Sequence, residues 1–79
     1  MFSNTESAKK HIRREIGRNI QVLREKASLT RKELASIMGV TYQQIYKYET
    51  GENTIRAEEI VYLKFYLNAD YNEFFVNLF

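Results

Sequence analysis

Tyr42-Gln43-Gln44 and Tyr46-Lys47 gather amide, phenol and ammonium groups within six residues. A glutamine amide donates and accepts at once, so it suits a partner that shows a donor beside an acceptor. Lysine adds a positive point charge, and tyrosine an apolar ring with a polar tip. Two adjacent glutamines on a helix are, taken alone, ordinary solvated surface. Covalent chemistry is poorly provided for. His11 is the sole histidine, cysteine is absent, and no serine arrangement gives the imidazole a nucleophile. Glu58-Glu59 looks like a carboxylate pair but falls in a first helical turn, where acids favour the helix dipole. No Gly-rich phosphate loop and no metal-ligand cluster is present. The residues point away from an enzyme, and neither a cofactor nor a metal is expected.

Charge is more informative by position than in total. The net charge is only +2. Residues 1–34 carry nine Lys/Arg against four Glu, a net +5, whereas residues 35–79 carry three against six acids, a net −3. That asymmetry fits one side facing a polyanion, although a charge run is as often a solvated helix face.

Seventy-nine residues make one domain, expected to span residues 6–79 behind a flexible terminus at residues 1–5. A chain of this size buries only about 60–65% of its unfolded surface, so one core must supply nearly all the stability. A hydrophobic fraction of 44% with 14% aromatics suffices for that and argues against disorder. Lack of cysteine fits a reducing compartment. With no signal-peptide core and no apolar run of about 18 residues, the expectation is a soluble, cytoplasmic protein without membrane contact. No room is foreseen for a ligand-sensing domain.

Helical signals run throughout, and strand alternation is missing. Ile12, Ile16, Ile20, Leu23 and Ala27 recur at steps of three and four, predicting a long first helix from about Glu6 to Ala27–Ser28. Thr30-Arg31-Lys32-Glu33 is a capping box, Leu34, Ala35, Ile37 and Met38 follow as an apolar face, and Gly39 provides a left-handed stop. Thr41, with Gln44 as box partner, opens a third helix that turns Ile45 and Tyr48 inward and ends before Gly51. Ile60, Leu63 and Leu67 mark a fourth helix from about Ala57. Asp70-Tyr71-Asn72-Glu73 reads as another capping box, opening a fifth with Phe74, Phe75 and Leu78. The prediction is an all-α, compact five-helix domain with a helix-turn-helix at about residues 31–50.

Leu29 through Ala35, then Met38-Gly39-Val40, Ile45 and Tyr48-Glu49-Thr50-Gly51 together resemble the lambda-repressor/Cro-like (Xre) helix-turn-helix family. Tyr42 through Glu49, followed by Gly51 and Asn53, resembles in particular a prokaryotic subgroup of small regulators. The resemblance covers about residues 12–75. It implies a lambda-repressor-like fold that binds double-stranded DNA and regulates transcription, as a repressor of phage, mobile-element or toxin–antitoxin type. It implies a homodimer on a palindromic operator with the third helix in the major groove, and a regulatory protein partner is a further expectation.

By resemblance, Tyr42 and Gln43 fall at the principal base-reading positions and Lys47 one turn further along, with Gln44 a fourth reader whose capping role competes. Glutamine can pair with adenine N6 and N7, lysine with guanine O6/N7 or a phosphate, and tyrosine with a thymine methyl. Arg31, Lys32, Thr41, Tyr46, Asn53, Thr54 and Arg56 flank them as phosphate contacts, which set register without reading sequence. Arg31 departs from the glutamine common in the family at this position. Arg24 and Glu49 match the family's structural ion pair between the first and third helices. For Arg13, Arg14 and Arg18, solubilising the first helix is favoured over phosphate contact. Phe79 or Leu78 are candidates for a dimer contact, with packing into the core alone as the equal alternative. The alternative function is a protein-interaction adaptor keeping the same fold. Such a module would be expected to show acidic or apolar residues on the third helix, not Gln, Tyr and Lys.

Overall fold

The computed structural model describes residues 5–79. Four α-helices follow in order: α1 (Thr5–Lys26), α2 (Arg31–Met38), α3 (Tyr42–Thr50) and α4 (Ala57–Tyr66). A single 3-10 turn, Tyr71–Phe74, lies beyond them. No strand occurs among the described residues. The expected flexible terminus falls outside the described residues, apart from Thr5, which begins α1.

Each helix contributes residues to one core. Ile20 and Leu23 come from α1, Leu34 and Ala35 from α2, Ile45 and Tyr48 from α3, and Ile60 and Leu63 from α4. Phe74 closes it and is fully buried. Ile12 and Ile16 are only half-buried, and Ala27 is exposed past the end of α1. Ser28 ends α1 in the left-handed region at φ 59, and the Leu29 amide donates to the Arg24 carbonyl.

The sharpest boundaries are those of the helix pair. Thr30 Oγ1 accepts the Glu33 amide at 3.0 Å, and Glu33 Oε1 accepts the Thr30 amide at 2.9 Å. Gly39, at φ 69, stops α2 and sends its own amide back to the helix. At α3 only the threonine half of the expected box is formed, with Thr41 Oγ1 accepting the Gln44 amide at 3.1 Å. Three residues thus separate α2 from α3.

The five-helix expectation requires correction: four α-helices are present among the described residues. Continuing helically past Tyr71–Phe74 would require the Phe74 carbonyl to accept an amide four residues on. That carbonyl instead accepts from Asn19 Nδ2 of α1 at 2.9 Å, and the same amide also reaches the Val76 carbonyl at 2.9 Å. Asn77 then turns the chain at φ 57. Glu73 accepts the Asp70 amide at 2.8 Å, but the Asp70 side chain makes no cap bond, so the box is half made.

Candidate nucleic-acid interface

α3 is held so that one side faces the core and the other faces water. Ile45, Tyr48 and Glu49 are buried, whereas Tyr42, Gln43, Tyr46 and Lys47 are exposed. The helix therefore brings three of the four expected base readers, with Tyr46, onto one outward side. Gln44 is half-buried, and its amide also serves the Thr41 cap.

Close backbone contact fixes the helix from α1. A Cβ on Gly17 would lie 2.6 Å from the Glu49 carbonyl oxygen, and one on Gly51 2.8 Å from the Arg14 amide nitrogen. α1 and the end of α3 therefore meet at two glycines. Gly51 also sits at φ 80, where a side chain would be strained.

Electrostatics completes the lock. Arg24 Nε donates to Glu49 Oε2 at 2.6 Å, and its Nη2 to Oε1 at 3.2 Å. A third donor, Nη1 of Arg24, reaches the Leu29 carbonyl at 2.8 Å. Arg31 Nε adds a bond to Glu49 Oε1 at 2.8 Å, so one buried carboxylate joins α1, α2 and α3. Tyr48 donates its hydroxyl to the Glu59 carboxylate of α4 at 2.9 Å. Burial, and then that bond, push the Tyr48 phenol up to about 12.

The remaining expected contacts surround α3. Lys32 is exposed in the first turn of α2, and Thr41 is exposed before α3. Asn53, Thr54 and Arg56 are exposed after it, with the Asn53 amide donating to the Lys47 carbonyl at 3.2 Å. Arg56 is also the N-cap residue of α4, where its amide donates to Glu59. Arg31 stands apart, half-buried, because its guanidinium is engaged by Glu49 and lies over the Tyr46 ring. Arg14 and Arg18 are exposed, whereas Arg13 is half-buried beside Asn53 and Thr54. At the carboxyl end, the Leu78 carbonyl meets His11, and Phe79 stacks on the His11 ring at 6.0 Å.

Sequence reasoning passed over Gly17 and Asn19. The first had a signal, since a mid-helix glycine costs about 1 kcal/mol against alanine and so implies a packing reason. Asn19 had none, because its partners are backbone carbonyls more than fifty residues away. No group of three or more His, Cys, Asp or Glu side chains that could hold a metal occurs among the described residues.

A helix-turn-helix family model matches residues 20–61, which span the end of α1, the whole of α2 and α3 and the start of α4. Several relatives are named as HTH-type transcriptional regulators. An uncharacterized HTH-type transcriptional regulator of Rickettsia conorii is 36% identical over 63 residues, covering 80% of this chain and 50% of the relative. Another, of Rickettsia prowazekii, is 36% identical over 63 residues, with 80% and 48% covered. A third, of Sinorhizobium medicae, is 32% identical over 60 residues, with 76% and 43% covered. The chain thus spans about half the length of these relatives. With its capped α2, its three-residue turn at Gly39 and an α3 whose outward side is polar, the chain belongs to the lambda-repressor/Cro-like (Xre) helix-turn-helix family.

Proposed function

We propose that the chain is a sequence-specific, DNA-binding transcriptional regulator, acting as a repressor when a dimer covers a palindromic operator. The observation that carries this reading is the exposure of Tyr42, Gln43 and Lys47 on a helix whose opposite side is locked by Ile45, Tyr48 and Glu49. An α-helix fits the major groove of B-DNA, and rigid presentation of amide and ammonium groups there is what reading base edges requires. The family is one of transcription regulators rather than enzymes, and the named relatives share that description.

Tyr42, Gln43, Gln44 and Lys47 take the base-reading roles in this proposal. Lys32, Thr41, Tyr46, Asn53, Thr54 and Arg56 take the phosphate roles on either side. Arg31 differs from these because its Nε is held by Glu49. Association with a second copy draws support from α4, where Val61, Tyr62 and Phe65 are exposed although Ile60 and Leu63 face the core. A helix apolar on both sides is normally covered on both. The occupant in this reading is the second copy that a two-fold operator demands. Phe79, stacked on His11, and half-buried Leu78 are used within the chain, which weakens their claim to that contact. No helix among the described residues is long and apolar enough to cross a membrane, in keeping with a cytoplasmic regulator.

The same α4 residues favour the second reading, an adaptor that binds another protein. Selection from random duplexes by the purified chain, at one stated salt concentration, separates the two. A recovered palindrome with half-sites about 34 Å apart supports the dimeric regulator. Recovery of only salt-sensitive background transfers the weight to the adaptor.

A further inference from the structure

Arg31 opens α2, yet its side chain belongs to α3. Its Nε donates to Glu49 Oε1 at 2.8 Å, and its guanidinium carbon lies 5.2 Å from the centroid of the Tyr46 ring. Tyr42 stands one turn before Tyr46, on the same side of α3. The Glu49 carboxylate, and then the Tyr42 hydroxyl, hold the Arg31 pKa above its ordinary value. The residue therefore meets the ion-pair centre through Nε, with its guanidinium carbon over the Tyr46 ring.

That geometry separates Arg31 from a phosphate ligand. A lysine or arginine that neutralises phosphate needs a charge free to meet it, and its signature is salt-dependent, sequence-independent affinity. Arg31 already faces a carboxylate. A guanidinium with one edge on a carboxylate still offers a flat face to a ring, which an ammonium cannot do. Tyr42 and Tyr46 are 47% and 44% exposed, so without such a support both rings would have to be ordered when DNA binds.

We propose that Arg31 is a positioning residue for sequence reading: anchored on Glu49, it stacks against Tyr46 and sets the aromatic edge of α3, formed by Tyr42 and Tyr46, before DNA arrives. The inference rests on the DNA-reading role proposed for α3. It assigns to Arg31 a part in discrimination, and to Lys32 beside it the ordinary part in affinity.

The test compares wild type, Arg31→Gln, Arg31→Lys and Lys32→Ala on a selected duplex and a random duplex across a salt series. Arg31→Gln is expected to lose about tenfold on the selected site and less than about twofold on random DNA, with its salt slope unchanged. Arg31→Lys keeps the charge but not the plane, and is expected to behave like Arg31→Gln. Equal losses on both duplexes, a salt slope lower by about 0.9, and recovery in Arg31→Lys would make Arg31 a phosphate contact and overturn the inference. A second measurement needs no DNA and covers a variant that folds poorly. In the free wild-type protein at low temperature, the Arg31 Nε proton should resonate slowly exchanging and show contacts to the Tyr46 ring. Their absence overturns the inference directly. Wild type that prefers no duplex overturns the DNA reading itself, and is recognised because discrimination is then missing before any substitution is made.

Discussion

Arg24 of α1 and Glu49 of α3 meet at 2.6 Å with side chains only 8% and 1% exposed, and Arg31 reaches the other carboxylate oxygen at 2.8 Å. Removing one partner of a buried ion pair typically costs about 3–5 kcal/mol, because the other charge is left without compensation. Here the two sides are unequal. Arg24→Ala leaves Glu49 with Arg31, whereas Glu49→Ala leaves two guanidinium groups facing one another across the vacated site. Glu49→Ala is therefore expected to be the more destabilising by at least about 1 kcal/mol, within the range for such pairs. Denaturant unfolding of the two variants checks this, and equal losses would mean that Arg31 gives Glu49 no compensation.

Gly17 illustrates a second dependence on the α1–α3 contact. Alanine in a helix interior normally gains about 1 kcal/mol over glycine. At Gly17 the added methyl would sit 2.6 Å from the Glu49 carbonyl oxygen and 2.8 Å from its carbon, and both are backbone atoms that cannot swing aside. Overpacking of this kind costs about 1–3 kcal/mol. Gly17→Ala is expected to lower the melting temperature and to displace α3, visible as shifted amide resonances at Tyr48 and Glu49. An unchanged or higher melting temperature would show that the helices part without cost.

Of these two relationships, the Arg24–Glu49 pair was legible through the family resemblance and the Gly17 contact was not. The helix pair was readable because its limits are local: Thr30, Glu33, Gly39, Thr41 and Gly51 each act within four residues of their own position. The outward side of α3 followed from where Ile45 and Tyr48 must point. What escaped was non-local. Asn19 binds carbonyls at Phe74 and Val76, and the chain there turns at Asn77 where the local pattern at Asp70–Glu73 suggested a fifth helix. Ala27 fitted the apolar period of α1 but falls one residue after the helix ends at Lys26, and so is exposed. The tie between Arg31 and Glu49 spans eighteen residues and two helices, beyond what spacing alone encodes.

Acid should loosen the ends of the helices. The Glu33 pKa lies below its ordinary 4.5, first because its carboxylate accepts the Thr30 backbone amide and second through the Thr30 side chain. Glu73 is lowered likewise, chiefly by the Asp70 amide and then by Lys26. A carboxylate with a lowered folded pKa contributes stability above its unfolded value, and loses it as pH falls through the folded value. The denaturation midpoint is therefore expected to fall between about pH 5 and about pH 3. Glu33→Gln keeps an acceptor oxygen for the Thr30 amide but cannot titrate, so its midpoint should fall less over the same window. Parallel curves for wild type and variant would remove Glu33 from the acid response.

Base reading and phosphate contact make different demands on neighbouring residues, and Gln43 and Lys32 separate them. Gln43 is exposed on α3, where a bidentate amide pair with one base contributes about 1–3 kcal/mol of discrimination. Gln43→Ala is thus expected to cost that much on a selected duplex and much less on random DNA. Lys32 is exposed at the start of α2, where amides not yet used by the helix add partial positive charge for a phosphate. Lys32→Ala is expected to weaken both duplexes alike and to lower the slope of log affinity against log salt by about 0.9. Titrations of both variants on both duplexes at several salt concentrations make the comparison. Equal loss on both duplexes for Gln43→Ala would deny it a reading role, while a loss confined to the selected duplex for Lys32→Ala would place that lysine on a base. Because one substitution acts on the ratio and the other on the slope, neither result can be mistaken for general unfolding, which would lower both affinities without changing the slope.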